Sequence, residues 1–143
     1  MANEAIIIEK YGYPPGEPRQ VTVAAGTSIS SGTLMVLSDP QTGTASSGVN
    51  QFFLGILAHD KDGSDGSTKA TLFTNVLADL VSVSAGSLPT AGYPVELSGA
   101  NLIRQSTQIA LSGAAFISGA AFMVGIAQET ASASERIAVR IRT

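Results

Sequence analysis

The single histidine of the chain, His59, stands beside Asp60 at the head of the run Asp60-Lys61-Asp62-Gly63-Ser64-Asp65-Gly66. A histidine next to a carboxylate is the pairing a hydrolase uses to draw the proton from a serine nucleophile. No Gly-x-Ser-x-Gly elbow occurs to present such a serine, and a histidine in a polar loop is ordinarily a solvated side chain. The same run places Asp60, Asp62 and Ser64 at positions 1, 3 and 5 of a calcium loop, but Asp65 sits where the turn requires glycine and no Glu follows at position 12. Glu129 with Glu135, or Asp60 with Asp62, would supply the two carboxylates of a glycoside hydrolase. Such enzymes usually add aromatic platforms, whereas this chain has no Trp and only 6% aromatic residues. Neither a Gly-x-x-x-x-Gly-Lys-Ser/Thr nor a Gly-x-Gly-x-x-Gly phosphate cradle is present. Arg136, Arg140 and Arg142 share one side of a regular last strand, opposite Ile137, Val139 and Ile141, where they are either a solvated face or a dock for an acidic neighbour. The expectation is a protein with no catalytic residue, no metal site and no cofactor.

The elements that carry these residues come from an unusual composition. The chain has 143 residues, 13% of them charged, with mean hydropathy +0.26. That is too few charges to cover a surface at the usual density, so other protein is expected to cover much of it. Net charge is −3, and the eight basic residues are scattered, so no footprint for gripping phosphates exists and nucleic acid is not an expected partner. With no Cys, disulfides and thiolate metal sites are excluded and stability rests on packing. The start, Met1 to Ile8, lacks a basic n-region and a long apolar run, and is expected to be retained in the mature chain.

Val21-Thr22-Val23-Ala24-Ala25-Gly26 laid over Val81-Ser82-Val83-Ser84-Ala85-Gly86 begins an ungapped alignment at an offset of sixty, with seven identities in eighteen positions as far as Ser38 and Ser98. A second echo sets Phe53-Leu54-Gly55-Ile56-Leu57-Ala58 against Met123-Val124-Gly125-Ile126-Ala127-Gln128, each leading through a polar loop to an alternating strand, Lys69 to Thr74 and Arg136 to Ile141. Each half thus reads as strand, Ala-Gly turn, connection ending in Gly, strand, loop, Gly-centred strand, hairpin and strand. Gly26 and Gly86 are expected at positive φ in tight turns, with Gly32 and Gly92 closing the connections. Two such half-units are expected to join in one small barrel or sandwich, because neither alone would bury a core. A short helix over Asn75 to Leu80 fits the spacing of Val76, Leu77 and Leu80.

Ile109 to Ala127 contains no charged residue and is about long enough to cross a bilayer. Within it Ser112-Gly113-Ala114-Ala115-Phe116 returns as Ser118-Gly119-Ala120-Ala121-Phe122. The even shift puts Phe116 and Phe122 on one side of an extended chain, and on a helix they would diverge. Extended structure is therefore expected, and no membrane partner.

Residues 1–20 form an N-terminal arm and Pro-rich spacer, and 21–143 a single β domain with halves at about 21–74 and 81–142. Ile6 to Ile8 favour a strand, while Tyr11-Gly12-Tyr13-Pro14-Pro15-Gly16-Glu17-Pro18 interrupts both helix and central strand. The strand either pairs within its own domain or adds to a neighbouring chain.

The pattern Val-x-Val-x-Ala-Gly, a second Gly, an apolar strand, Gly-Ile-Ala, an Ala/Ser-rich turn and the closing Ile-Ala-Val-Arg-Ile resembles the head decoration, or cement, proteins of tailed bacteriophages across Val21 to Ile141. The resemblance implies an all-β, β-tulip-like domain, commonly a homotrimer, that binds the major capsid protein on the outer face of an assembled head. The resemblance further implies a place in the virion, after synthesis in the host cytoplasm. In such proteins an N-terminal arm pairs with a capsid strand; the positions here are Glu4, Ala5, Ile6, Ile7, Ile8 and Glu9. Phe116, Phe122, Arg140 and Arg142 are the expected contacts with capsid or sister subunits. The Gly/Ala-rich stretch from Ser112 to Ala121 departs from the simplest members. An alternative is a carbohydrate-binding or host-adhesion module on the particle, with the acidic loop and Tyr11, Tyr13 and Tyr93 as contacts.

Overall fold

The computed structural model describes residues 3–107 and 122–143, and every regular element among them is a strand. In chain order these are β1 (Ile6–Lys10), β2 (Arg19–Thr22), β3 (Leu34–Asp39), β4 (Thr42–Ala45), β5 (Phe53–Leu57), β6 (Lys69–Phe73), β7 (Asn75–Ser82), β8 (Pro94–Gly99), β9 (Leu102–Gln105), β10 (Met123–Ala127) and β11 (Arg136–Arg142). The all-β barrel class expected from the alternation holds, but closure occurs twice. β2, β4, β3, β5 and β6 close one barrel, and β7, β11, β10, β8 and β9 close a second through a short parallel pairing of β7 with β9.

The duplication is visible bond by bond. The pairs Met35↔Ala45, Val36↔Thr44, Leu37↔Gly43 and Asp39↔Thr42 return sixty residues on as Val95↔Gln105, Glu96↔Arg104, Leu97↔Ile103 and Gly99↔Leu102, irregularity included. Leu34↔Ile56, Met35↔Gly55 and Val36↔Phe53 return as Pro94↔Ile126, Val95↔Gly125 and Glu96↔Met123. Gln41 and Asn101, at the tips of the equivalent hairpins, share φ of 57°. Gly32 and Gly92 have φ of 86° and 84°, the left-handed conformation that favours glycine. Gly86 is also left-handed but Gly26 is not; its turn instead receives Gly63, whose added Cβ would lie 2.8 Å from the Gly26 carbonyl.

Two cores were not expected, and the reason they form lies in β3 and β5. Met35, Leu54 and Leu57 point into the first barrel with Val21, Val23, Ile29, Ala70 and Leu72. Leu34, Val36, Phe53 and Ile56, on the opposite faces of the same strands, join the cluster built from Leu80, Val95, Leu97, Ile103, Ile137 and Val139 of the second barrel. These strands therefore bury both faces, so one half completes the core of the other. The seam is also hydrogen-bonded: Asn101 Oδ1 accepts from Leu34 N at 2.9 Å, and Asn101 N donates to Ser46 Oγ at 3.0 Å.

Asn75 to Leu80, expected as a helix, belongs to β7. Val76, Ala78 and Leu80 alternate into the core, and every residue of the segment pairs with β11; period two outweighs one coincidence at i, i+1, i+4. Phe116 and the rest of 108–121 lie outside the described residues.

Candidate docking surface

β1 runs antiparallel to β7 and, among the described residues, pairs with no other strand. Both barrels close, whereas β1 lies at the end of its sheet with its outer side open. Three β-branched residues in a row give the segment its strand preference. Ile7 packs against the shared core while Ile6 and Ile8 point outward, 53% and 51% exposed. A bulge between Ile7 and Glu9 breaks the register, a common feature of edge strands.

The Glu4–Glu9 segment pairs within its own chain and is fastened at both ends. Ala5 is buried and its N–H donates to Gly32 O at 2.8 Å; an added Cβ on Gly32 would sit 2.5 Å from Ala5 O. Gly92, the equivalent residue of the second half, has open space there, since no arm lies across it. Arg136 Nη1 donates to Glu4 O at 2.9 Å. At the other end Tyr11 N donates to Asn75 O at 3.0 Å, and the Arg140 guanidinium lies 4.1 Å from the centre of the Tyr11 ring.

Arg140 is thus a structural tie and not a solvated face: it also donates to Val76 O, Ile141 O and Asn75 Oδ1. The Pro-rich segment, expected as a spacer, is a clasp over the junction between β6 and β7. Gly16 O accepts from Thr74 N and Asn75 N, Glu17 O accepts from Thr74 Oγ1, and Glu17 Oε2 accepts from Asn75 Nδ2. Tyr11 donates its hydroxyl to Glu9 Oε2 at 2.8 Å, and this bond to a carboxylate raises the phenol above its ordinary pKa.

Arg142 is separate from these ties. With Arg19, Phe52, Phe53, Leu54, Met123 and Thr143 it lines a cleft of about 200 Å³ between the barrels. Phe122, adjacent to Met123, is half-buried. Among the described residues neither Arg19 nor Arg142 has a carboxylate partner.

His59 is exposed and, among the described residues, makes no side-chain hydrogen bond, while Asp60 Oδ1 accepts from Ser31 N at 2.7 Å. Asp62 Oδ1 accepts from both Ser64 N and Ser64 Oγ, which lowers its pKa. Asp65 closes a similar turn on Ser67 N. Among the described residues no three His, Cys, Asp or Glu side chains gather closely enough to hold a metal ion. Of the tyrosines, Tyr13 is 94% exposed and Tyr93 is exposed, while Tyr11 is covered by Arg140.

Two charged residues had no sequence signal that singled them out: the buried Lys61, and Glu96, which is paired with Arg104 at 2.8 Å. The second was readable only through the hairpin register that sets Glu96 opposite Arg104. Neither a protein-family model nor a curated protein matches this sequence.

Proposed function

We propose that this chain is a virion structural protein that binds the outer surface of an assembled phage capsid as a homo-oligomer and stabilises it. The supporting observation is the open edge of β1: a strand whose N–H and C=O groups face outward between two exposed isoleucines, on a fold that has otherwise closed its sheets. Such an edge accepts an extended segment of another protein through main-chain hydrogen bonds, with alternate side chains giving specificity. The low charge content of the chain agrees with a surface that neighbours cover. The major capsid protein is the partner in this reading, and no catalytic step is assigned.

The physical mechanism is linkage. A protein that binds the assembled shell and not its dissociated subunits adds its binding free energy to the resistance of the shell. Several weak contacts in one oligomer reinforce one another through effective concentration. Purified protein added to undecorated heads should appear as regular density on the outer surface and raise the temperature at which the heads open. Heads that stay bare and open at the same temperature would refute the proposal.

A further inference from the structure

Lys61 is 6% exposed, and among the described residues no carboxylate forms an ion pair with it. Its Nζ donates to three backbone carbonyls, Ala25 O at 2.8 Å, Thr27 O at 3.0 Å and Asp62 O at 3.2 Å. An ammonium has three protons, and each has found a carbonyl. A buried charge is tolerated only where its hydrogen bonds are met. Carbonyl oxygens converging on one point from two separate segments are also how a protein replaces the hydration shell of a monovalent metal ion.

The two segments are held closely. Ile29 and Lys61 exchange backbone hydrogen bonds at 3.0 and 2.8 Å, and Gly63 N donates to Ser28 Oγ. The second barrel repeats the backbone without the cation. Ala131 N donates to Pro89 O at 2.9 Å, the counterpart of the Lys61 bond to Ile29, and Ala131 takes the place of Lys61. There the loop is tied by Ser82 Oγ donating to Ser132 O, and by Glu135 Oε2 accepting from Ser132 N. An ammonium is therefore no general requirement of the fold, since the equivalent loop of the second barrel is tied without one.

We propose that the carbonyls of Ala25, Thr27 and Asp62 form a monovalent-cation site that the chain fills with its own Lys61 ammonium. This internal ion holds the 24–28 turn and the 59–66 loop together as one unit. Removing the side chain opens the site to ions of similar size and coordination, ammonium and potassium, and not to the bulky choline.

Thermal unfolding of the full chain and of Lys61→Ala, in choline, ammonium and potassium chloride at equal ionic strength, tests this. The unaltered protein should melt at the same temperature in all three. Lys61→Ala should melt about 5 °C lower in choline chloride and regain at least half of that loss in ammonium or potassium chloride, since an ion bound by the native state alone stabilises it. An unchanged melting temperature in the variant, or an equal loss in all three salts, would overturn the site. Should Lys61→Ala fail to fold, the unaltered protein decides. Of its lysines, Lys10, Lys61 and Lys69, Lys61 should show ammonium protons in nitrogen-15 spectra that exchange far more slowly than the others, and equal exchange would overturn the proposal.

Discussion

At Gly55 and Gly125 a single missing carbon decides a strand pairing. An added Cβ on Gly55 would stand 2.6 Å from the Phe73 carbonyl, and one on Gly125 would collide with the carbonyl of Arg140. The two glycines are equivalent in the duplicated registers, so the close approach of β5 to β6 and of β10 to β11 is a property of the unit itself. The halves diverge where Val36 and Thr44 of the first become Glu96 and Arg104 of the second. Glu96 is buried and takes Arg104 in two contacts, with Ser106 Oγ on its other oxygen at 3.1 Å. Breaking a buried ion pair strands a charge, while replacing the pair with apolar groups is often neutral. Arg104→Ala should therefore cost about 2–4 kcal/mol, whereas Glu96→Val with Arg104→Thr, which restores the residues of the first half, should lie within about 1 kcal/mol of the parent. Urea denaturation of the three proteins checks both; a harmless Arg104→Ala would mean that water reaches Glu96.

Among the elements, those with clean alternation were legible in the sequence. Val21 and Val23, Val95 and Leu97, and Ile137, Val139 and Ile141 all point into cores as their spacing requires. What misled were elements whose environment lies far away in the chain. Leu34-Met35-Val36 and Phe53 to Leu57 are unbroken apolar runs buried throughout, the signature of a strand covered on both faces. That signature carried the second core, but nothing local says that the other cover is the opposite half of the chain. The arm is a similar case: Ile6 to Ile8 announced a strand, while its seat on β7 and Gly32 depends on residues distant in sequence. The strand itself was therefore legible in the sequence, and its seat, an edge fastened to its own domain in place of a loose arm, came from the fold. Ile6 and Ile8 are half-exposed, so Ile6→Lys with Ile8→Lys should change stability by no more than about 1 kcal/mol. Charged residues on an edge discourage strand addition, so the double variant should remain folded by circular dichroism yet fail to decorate heads. Undiminished decoration would place the contact elsewhere.

For the molecule as a whole, the open question is whether two closed barrels are two folding units. The first barrel keeps a small interior of its own, and four of its large side chains, Leu34, Val36, Phe53 and Ile56, lie in the cluster that belongs mostly to the second. Burying each is worth about 1.5–3 kcal/mol, so parting the barrels would forfeit roughly 6–12 kcal/mol, comparable to the whole stability of a small domain. The polar ties point the same way. Asn101 bridges Leu34 and Ser46 across the seam, Thr143 Oγ1 donates to Leu54 O, and the Gly16–Glu17 clasp binds Thr74 and Asn75 at the crossover. Separation would leave these groups either hydrated or unsatisfied. One cooperative transition should follow, with calorimetric and van't Hoff enthalpies in agreement, in spite of the two closed sheets. The fragment 19–74, expressed alone, should lack the dispersed amide spectrum of a packed β-barrel, because closure of its sheet would expose those four side chains to water. Two resolved calorimetric peaks, or a folded fragment, would show that each half retains a self-sufficient core and that the shared cluster is only a contact between finished units.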